Sequence, residues 1–191
     1  MSNKQTFTKL RKAFEEYDKK REALIALSRN ILKTSKKAIY SAHRGNLKEA
    51  QELLEKAKKK IKEAKKIAKK DEHLLTSGAY SDSLEEYVEA SCYIAYLKNR
   101  ELPKPEDLGV DHHTYLPGLC DLVGELVRAA INSAAKGDHK TALEIKRDVE
   151  DLYSELMLFD WRNTPVRRKF DSIKYGLEKL EDLALKIAFK Q

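Results

Sequence analysis

The sequence predicts an all-α fold, a single-domain bundle of six to seven helices occupying residues 1–191. Three observations carry that expectation. Apolar residues recur at spacings of three and four through long stretches. Loop formers are scarce, with Gly 7 and Pro 4 in 191 residues, and no alternating run of β-branched residues occurs. A chain of this length suffices for one sizeable core.

Lys and Arg number 38 against 31 Asp and Glu, a net +7, and the excess is concentrated in a few segments. Localised positive charge points to a polyanionic partner. The start, Met1-Ser2-Asn3-Lys4, carries no apolar leader, and no uncharged run approaches the ~18 residues of a membrane span. A soluble, cytoplasmic protein without a membrane partner is expected. Cys92 and Cys120 have neither C-x-x-C nor zinc spacing and lie on apolar helical faces, which predicts two reduced core thiols.

The first helix is expected from about Phe7 to Arg44, with Leu10, Phe14, Tyr17, Leu24, Ile31, Leu32, Ser35, Ile39 and Ala42 on one stripe. From Ala23 to Lys48 there is no acidic residue. Arg29, Lys33, Lys36, Lys37 and Arg44 fall on about 100° of the helical wheel beside that stripe. An ordinary solvated face interleaves Glu, so this ladder is a candidate phosphate contact. Gly45-Asn46 supplies a helix stop and a new cap.

A second helix is expected to about Leu75, packed by Leu47, Ala50, Leu54, Ala57, Ile61, Ala64 and Ala68. Lys56 to Lys70 holds nine lysines and one glutamate, a run that reads most simply as solubilising surface. Thr76-Ser77-Gly78 and Ser81-Asp82-Ser83 mark the next break, with a third helix from near Leu84. Ser83 and Glu86 have capping-box spacing there. Beyond Glu89, residues Ala90 to Leu97 carry no charge, which predicts a central, buried helix with Glu86 and Glu89 at its mouth, able to share a ligand at i, i+3.

Asn99 to Thr114 is the one long irregular connection, with His112 and His113 read as surface residues, and Pro117 is expected to open the fourth helix. In that helix Leu119, Leu122, Val123, Leu126, Val127, Ala130, Ile131 and Ala134 form a wide apolar arc. Asp121, Glu125, Arg128 and Asn132 form a polar seam within about 60°. Gly137-Asp138 caps a fifth helix, whose apolar residues run from Ala142 to Phe159. Thr164-Pro165 starts a sixth, where Val166, Phe170, Ile173, Leu177, Leu180, Ala184 and Ile187 keep a heptad. A second apolar face on such helices would seek another subunit.

Glu86, Glu89, Asp121 and Glu125 are therefore two carboxylate pairs on two mostly buried helices. If they converge, four carboxylates cannot all ionise in one apolar site without divalent cations. Oxygen-only ligation favours Mg²⁺, with Mn²⁺ as a substitute, over zinc. On a phosphodiester such ions generate a nucleophilic water and neutralise the attacked and leaving oxygens, while Arg128 stands ready for phosphate or a carboxylate. A di-iron bundle would need Glu-x-x-His, which the chain lacks. No Gly-rich phosphate loop is present.

The chain resembles the translin superfamily, and within it the branch of translin-associated factor X (Trax). The likeness rests on Asp18-Lys-Lys-Arg-Glu with Leu27-Ser28-Arg29 and Ser35-Lys36-Lys37, on Glu86-Tyr-Val-Glu89-Ala90, and on Leu116-Pro-Gly-Leu-Cys-Asp-Leu-Val-Gly-Glu-Leu-Val-Arg128. Ile131 to Asp138 and Arg168-Lys-Phe-Asp complete it. The resemblance implies an all-helical subunit of a closed octameric shell enclosing RNA, with Mg²⁺-dependent endoribonuclease sites on the inner cavity. Glu86, Glu89, Asp121 and Glu125 match the nuclease carboxylates of Trax-like proteins. Arg29, Lys36 and Lys37 match the basic first helix. The short Asn99–Thr114 connection, Thr114 and Pro117 depart from the eukaryotic pattern and imply an archaeal-type member that assembles with itself.

Three functions follow from the sequence. The first is a Mg²⁺-dependent endoribonuclease acting on single-stranded or small structured RNA. The second is a non-catalytic shell that binds RNA or single-stranded DNA. The third is a helical assembly protein whose positive charge only solubilises it.

Overall fold

The computed structural model describes residues 3–68, 72–75 and 78–189, and those residues form helices and connections without a strand. The helices are α1 (Lys4–His43), α2 (Leu47–Ala68), α3 (Glu72–Leu75), α4 (Gly78–Asn99), α5 (Pro105–Leu108), α6 (His112–Ala135), α7 (His139–Met157) and α8 (Pro165–Ala188). Six are long and two are single turns, so the predicted all-α class and count of long helices hold. No helix among the described residues is long and apolar enough to cross a membrane. The chain divides into two compact units, residues 1–87 and 88–191, and α4 contributes to both.

In the first unit α1 and α2 form a hairpin. Gly45 turns the chain at φ +80°, a left-handed conformation that glycine adopts without a Cβ clash. Asn46 Oδ1 accepts from the Glu49 amide at 3.2 Å, and the Glu49 carboxylate accepts from the Ser41 hydroxyl at 2.5 Å. Leu24, Ile31, Ala38 and Ala42 of α1, with Ala50, Ala57, Ile61 and Ala64 of α2, are the buried seam.

Burial on α1 begins only at Leu24. The expected stripe is wrong for the amino-terminal half, where Leu10 and Phe14 are 57% and 70% exposed; Phe7, at the expected helix start, is 53% exposed. Length explains this, because α1 has 40 residues and α2 only 22. A hairpin partner of that length covers about half of α1 at ~1.5 Å rise per residue.

The second helix was expected to reach Leu75. Helix α2 ends at Ala68 and α3 resumes at Glu72. Lys69 and Lys70, the end of the lysine run, lie outside the described residues, as do Thr76 and Ser77.

The expected helix start near Leu84 is also corrected. Helix α4 begins at Gly78, and Ser83 sits inside it, fully buried, its hydroxyl donating to the Tyr80 carbonyl at 2.7 Å. Burial of Tyr80, Ser83 and Leu84 overrides the turn preference of Ser-Asp-Ser, and the hydroxyl is satisfied by bonding back along the helix. Glu86 is therefore no capping-box residue.

The second unit is built on α6, which packs against α7 and α8. Ala90, Cys92, Tyr93, Ile94 and Tyr96 of α4 are buried, as the charge-free stretch predicts, and so is Val88 before it. Helix α6 begins five residues before Pro117, because Asp111 caps it by accepting from the Thr114 amide at 2.9 Å. Pro117 is thus an interior residue. Ile131, placed by its spacing in the buried arc, is instead 43% exposed, in the last turns of α6. Gly137 at φ +84° and Asp138, accepting from the Thr141 amide, separate α6 from α7 as expected. Phe159 lies past the end of α7, where it stacks on Trp161 at 5.1 Å.

Gly176 of α8 sets the approach to α6, since a Cβ built on it would lie 3.1 Å from Val127 Cγ2 and 3.5 Å from Val123 Cγ1. A branched side chain there crowds both valines, so side chains or helices must shift to admit it. Gly176→Val is expected to destabilise the protein by about 1–3 kcal/mol, read as a lowered midpoint of chemical unfolding; an unchanged midpoint would show that α8 does not seat through this contact.

Candidate functional site

The predicted carboxylates arrive from both units and are described unit by unit. In the first, Glu86 of α4 is largely buried, with its side chain 15% exposed, and Lys36 Nζ of α1 lies 3.6 Å from its Oε2. A member of the basic ladder thus serves a predicted metal-ligating acid. Arg29, Lys33, Lys36, Lys37 and Arg44 are all exposed, and the opposite face of α1 supplies the seam with α2. The ladder is a surface feature throughout.

In the second unit, Glu89 on α4 and Asp121 and Glu125 on α6 are all half-buried. Asp121 Oδ2 accepts from Lys169 Nζ of α8 at 2.5 Å. Glu125 Oε2 lies 3.8 Å from Arg128 Nη1, one turn further along α6. Tyr93 stands one turn beyond Glu89 on α4. Burial pushes its hydroxyl well above the usual tyrosine range, the Glu125 carboxylate adds to the rise, and Arg128 opposes it. Tyr93 of α4 therefore feels the charges of Glu125 and Arg128 in the α6 seam. Asn132, the last member of that seam, is exposed.

The four side chains offer carboxylate oxygens alone, which is the donor set a hard divalent ion takes. As they stand, Glu86 lies against Lys36, Asp121 against Lys169 and Glu125 against Arg128. Among the described residues no three His, Cys, Asp or Glu side chains are gathered closely enough to hold one metal ion. The donor types fit Mg²⁺; the rotamers are those of a cation-paired state.

Lys169 is the residue that sequence reasoning missed. It lies in the Arg168-Lys-Phe-Asp stretch, whose heptad flank reads as ordinary solvated surface, and only the fold brings it to Asp121, 48 positions away. His112 and His113 are exposed in the first turn of α6, their rings 4.0 Å apart.

Cys92 and Cys120 are buried and unpaired, as expected. Burial pushes both thiols up to about 12; the Tyr115 hydrogen bond partly offsets this at Cys92, while at Cys120 Asp121 adds to it and Lys169 opposes it. Raised values leave a thiolate fraction on the order of 10⁻⁴ at pH 8. Both thiols are expected to react with Ellman's reagent only after unfolding in guanidinium. Prompt reaction of the native protein would place them in solvent.

The Translin family model matches residues 19–191. Translin-associated protein X of Mus musculus is 29% identical over 214 residues, covering 88% of this chain and 73% of that protein. Translin of Gallus gallus is 28% identical over 97 residues, covering 51% of this chain and 42% of that protein. The match thus spans less than half of the chicken protein's length. Among solved structures, apo-NeC3PO superposes with a TM-score of 0.88 at 29% identity over 97% of both chains. The AfC3PO complex with duplex RNA gives 0.85 at 26% identity, over 97% of this chain and 98% of that one.

Proposed function

This chain belongs to the translin family, and from that membership we propose that it is a Mg²⁺-dependent endoribonuclease working within a closed homo-oligomeric shell, octameric by analogy with the family. Its fold is that of the C3PO chains, one of which was solved with duplex RNA. The proposed ligands are Glu89, Asp121 and Glu125, joined by Glu86 on helical phase alone. The observation that carries the reading is the Asp121 carboxylate, about one-third exposed and held by the Lys169 ammonium, with Glu125 one turn beyond it.

When bound, the ion supplies a water of lowered pKa and neutralises charge at the phosphodiester. The chain's own residues do the rest. Arg29, Lys33, Lys37 and Arg44 hold the RNA backbone, and Lys36 lies between that ladder and Glu86. Arg128 either orients Glu125 or turns to a phosphate. The exposed Phe7, Leu10 and Phe14 supply an apolar face for a neighbouring subunit, and two unpaired thiols support a reducing, cytoplasmic setting.

Lys169 occupies the place beside Asp121 that a metal ion would compete for. Lys169→Met is therefore expected to tighten Mn²⁺ binding up to about fivefold, the magnitude of a partly exposed ion pair, measured by calorimetry. Weaker binding in the variant would show that Lys169 assists the ion.

The second reading is a shell that binds RNA or single-stranded DNA without cutting it. The Glu125–Arg128 pair and the absence of a gathered ligand triad among the described residues favour it. RNA binding without cleavage in Mg²⁺ or Mn²⁺ across several substrates would establish it.

A further inference from the structure

Tyr40 occupies a singular place on α1. Taking Arg29 as the origin of the wheel at ~100° per residue, Lys36, Lys33, Arg44 and Lys37 fall at about −20°, 40°, 60° and 80°, and Tyr40 at about 20°. It lies in the middle of the basic arc. The buried residues Leu24, Ile31, Ala38 and Ala42 centre near 200°, diametrically opposite. Tyr40 is 56% exposed, at the outermost line of the helix and within one turn of Lys36, Lys37 and Arg44.

Exposing an aromatic ring to water forfeits the hydrophobic gain of burying it, so a ring in this position gives the core little. What it can do follows from its surroundings. Cations on both sides attract a phosphate backbone, and an aromatic face between them presents a surface on which any nucleobase can stack. The other strongly exposed aromatics stand elsewhere: Phe7 and Phe14 on the unmatched half of α1, and Tyr175 and Phe189 on α8 beside acids or at its end. Between Ala23 and Lys48 every charged residue is basic or a histidine.

We propose that Tyr40 is a base-stacking platform within the basic ladder, so that this face of α1 takes RNA with unpaired bases in preference to a continuous duplex. The inference rests on the RNA-binding reading above and adds the residue that engages unpaired bases, beside cations that engage only phosphates. In a duplex the bases stack on one another and offer the ring nothing, so the ladder alone acts through phosphates. On a single strand both contribute.

The test uses the full chain with a fluorescein-labelled, adenine-rich single-stranded RNA and with the same strand annealed to its complement, both across a salt series. Tyr40→Ala is expected to weaken single-strand binding about 5- to 100-fold and duplex binding by less than about twofold. The slope of log affinity against log salt stays unchanged, because the phosphate contacts remain. Tyr40→Phe keeps the ring and is expected to bind like the unsubstituted protein. Equal losses on both RNAs, or no loss on either, overturn the platform while leaving the ladder in place. Failure of the unsubstituted protein to bind either RNA overturns the RNA-binding reading together with it.

Discussion

Asp121→Ala is expected to abolish divalent-dependent RNA cleavage, by at least about a thousandfold, while the helical content of the protein is retained. The magnitude follows from what a metal ion contributes: several kcal/mol of charge stabilisation at the phosphodiester, where each 1.4 kcal/mol is about tenfold in rate. Retained folding follows from exposure. Both Asp121 and Lys169 have side chains about one-third exposed, at 33% and 35%, so the orphaned ammonium turns to water at little cost. Glu89→Ala and chelation by EDTA are expected to act alike. A double variant, Glu86→Ala with Glu125→Ala, that still cleaves would remove the carboxylate set from the mechanism.

Neutralising the ladder should produce the second large effect. With Arg29, Lys33 and Lys37 replaced by alanine, RNA affinity at moderate salt is expected to fall on the order of 100-fold, and the salt slope to drop by about 2, at roughly 0.7 per lost contact with a single strand. All three side chains are exposed and alanine favours a helix, so the α1–α2 seam survives. A loss of affinity with an unchanged slope would mean that these cations do not meet phosphates. Cleavage of bound RNA at saturating concentration should be affected far less, which separates this variant from Asp121→Ala.

Much of this was legible in the chain because it is local. Gly45-Asn46 and Gly137-Asp138 break helices by backbone and side-chain chemistry that involves only neighbouring residues, and both occur where the sequence places them. The uncharged stretch after Glu89 had to be buried, and it is. What failed was whatever depends on the length or position of a second element. The apolar stripe of α1 is continuous, but nothing in its pattern says that α2 is too short to cover it. Ser81-Asp82-Ser83 looks like a break until burial of Tyr80 and Leu84 is known.

The carboxylates divide the same way. Their helices and spacing are readable, because i, i+3 and i, i+4 are fixed by helix geometry. Their counter-ions are only partly so. Arg128 is one turn from Glu125 and was visible; Lys36 and Lys169 come from α1 and α8 and needed the fold. Tyr40 sits between the two cases, since its phase within the ladder is in the sequence but its exposure is not.

The central claim is that carboxylates of α4 and α6 hold a divalent ion. Titration of Mn²⁺ into the full chain, followed by calorimetry, tests it without reference to any RNA. The account predicts saturable binding that Asp121→Ala eliminates; indistinguishable curves for the two proteins, or no saturable binding in either, would contradict it.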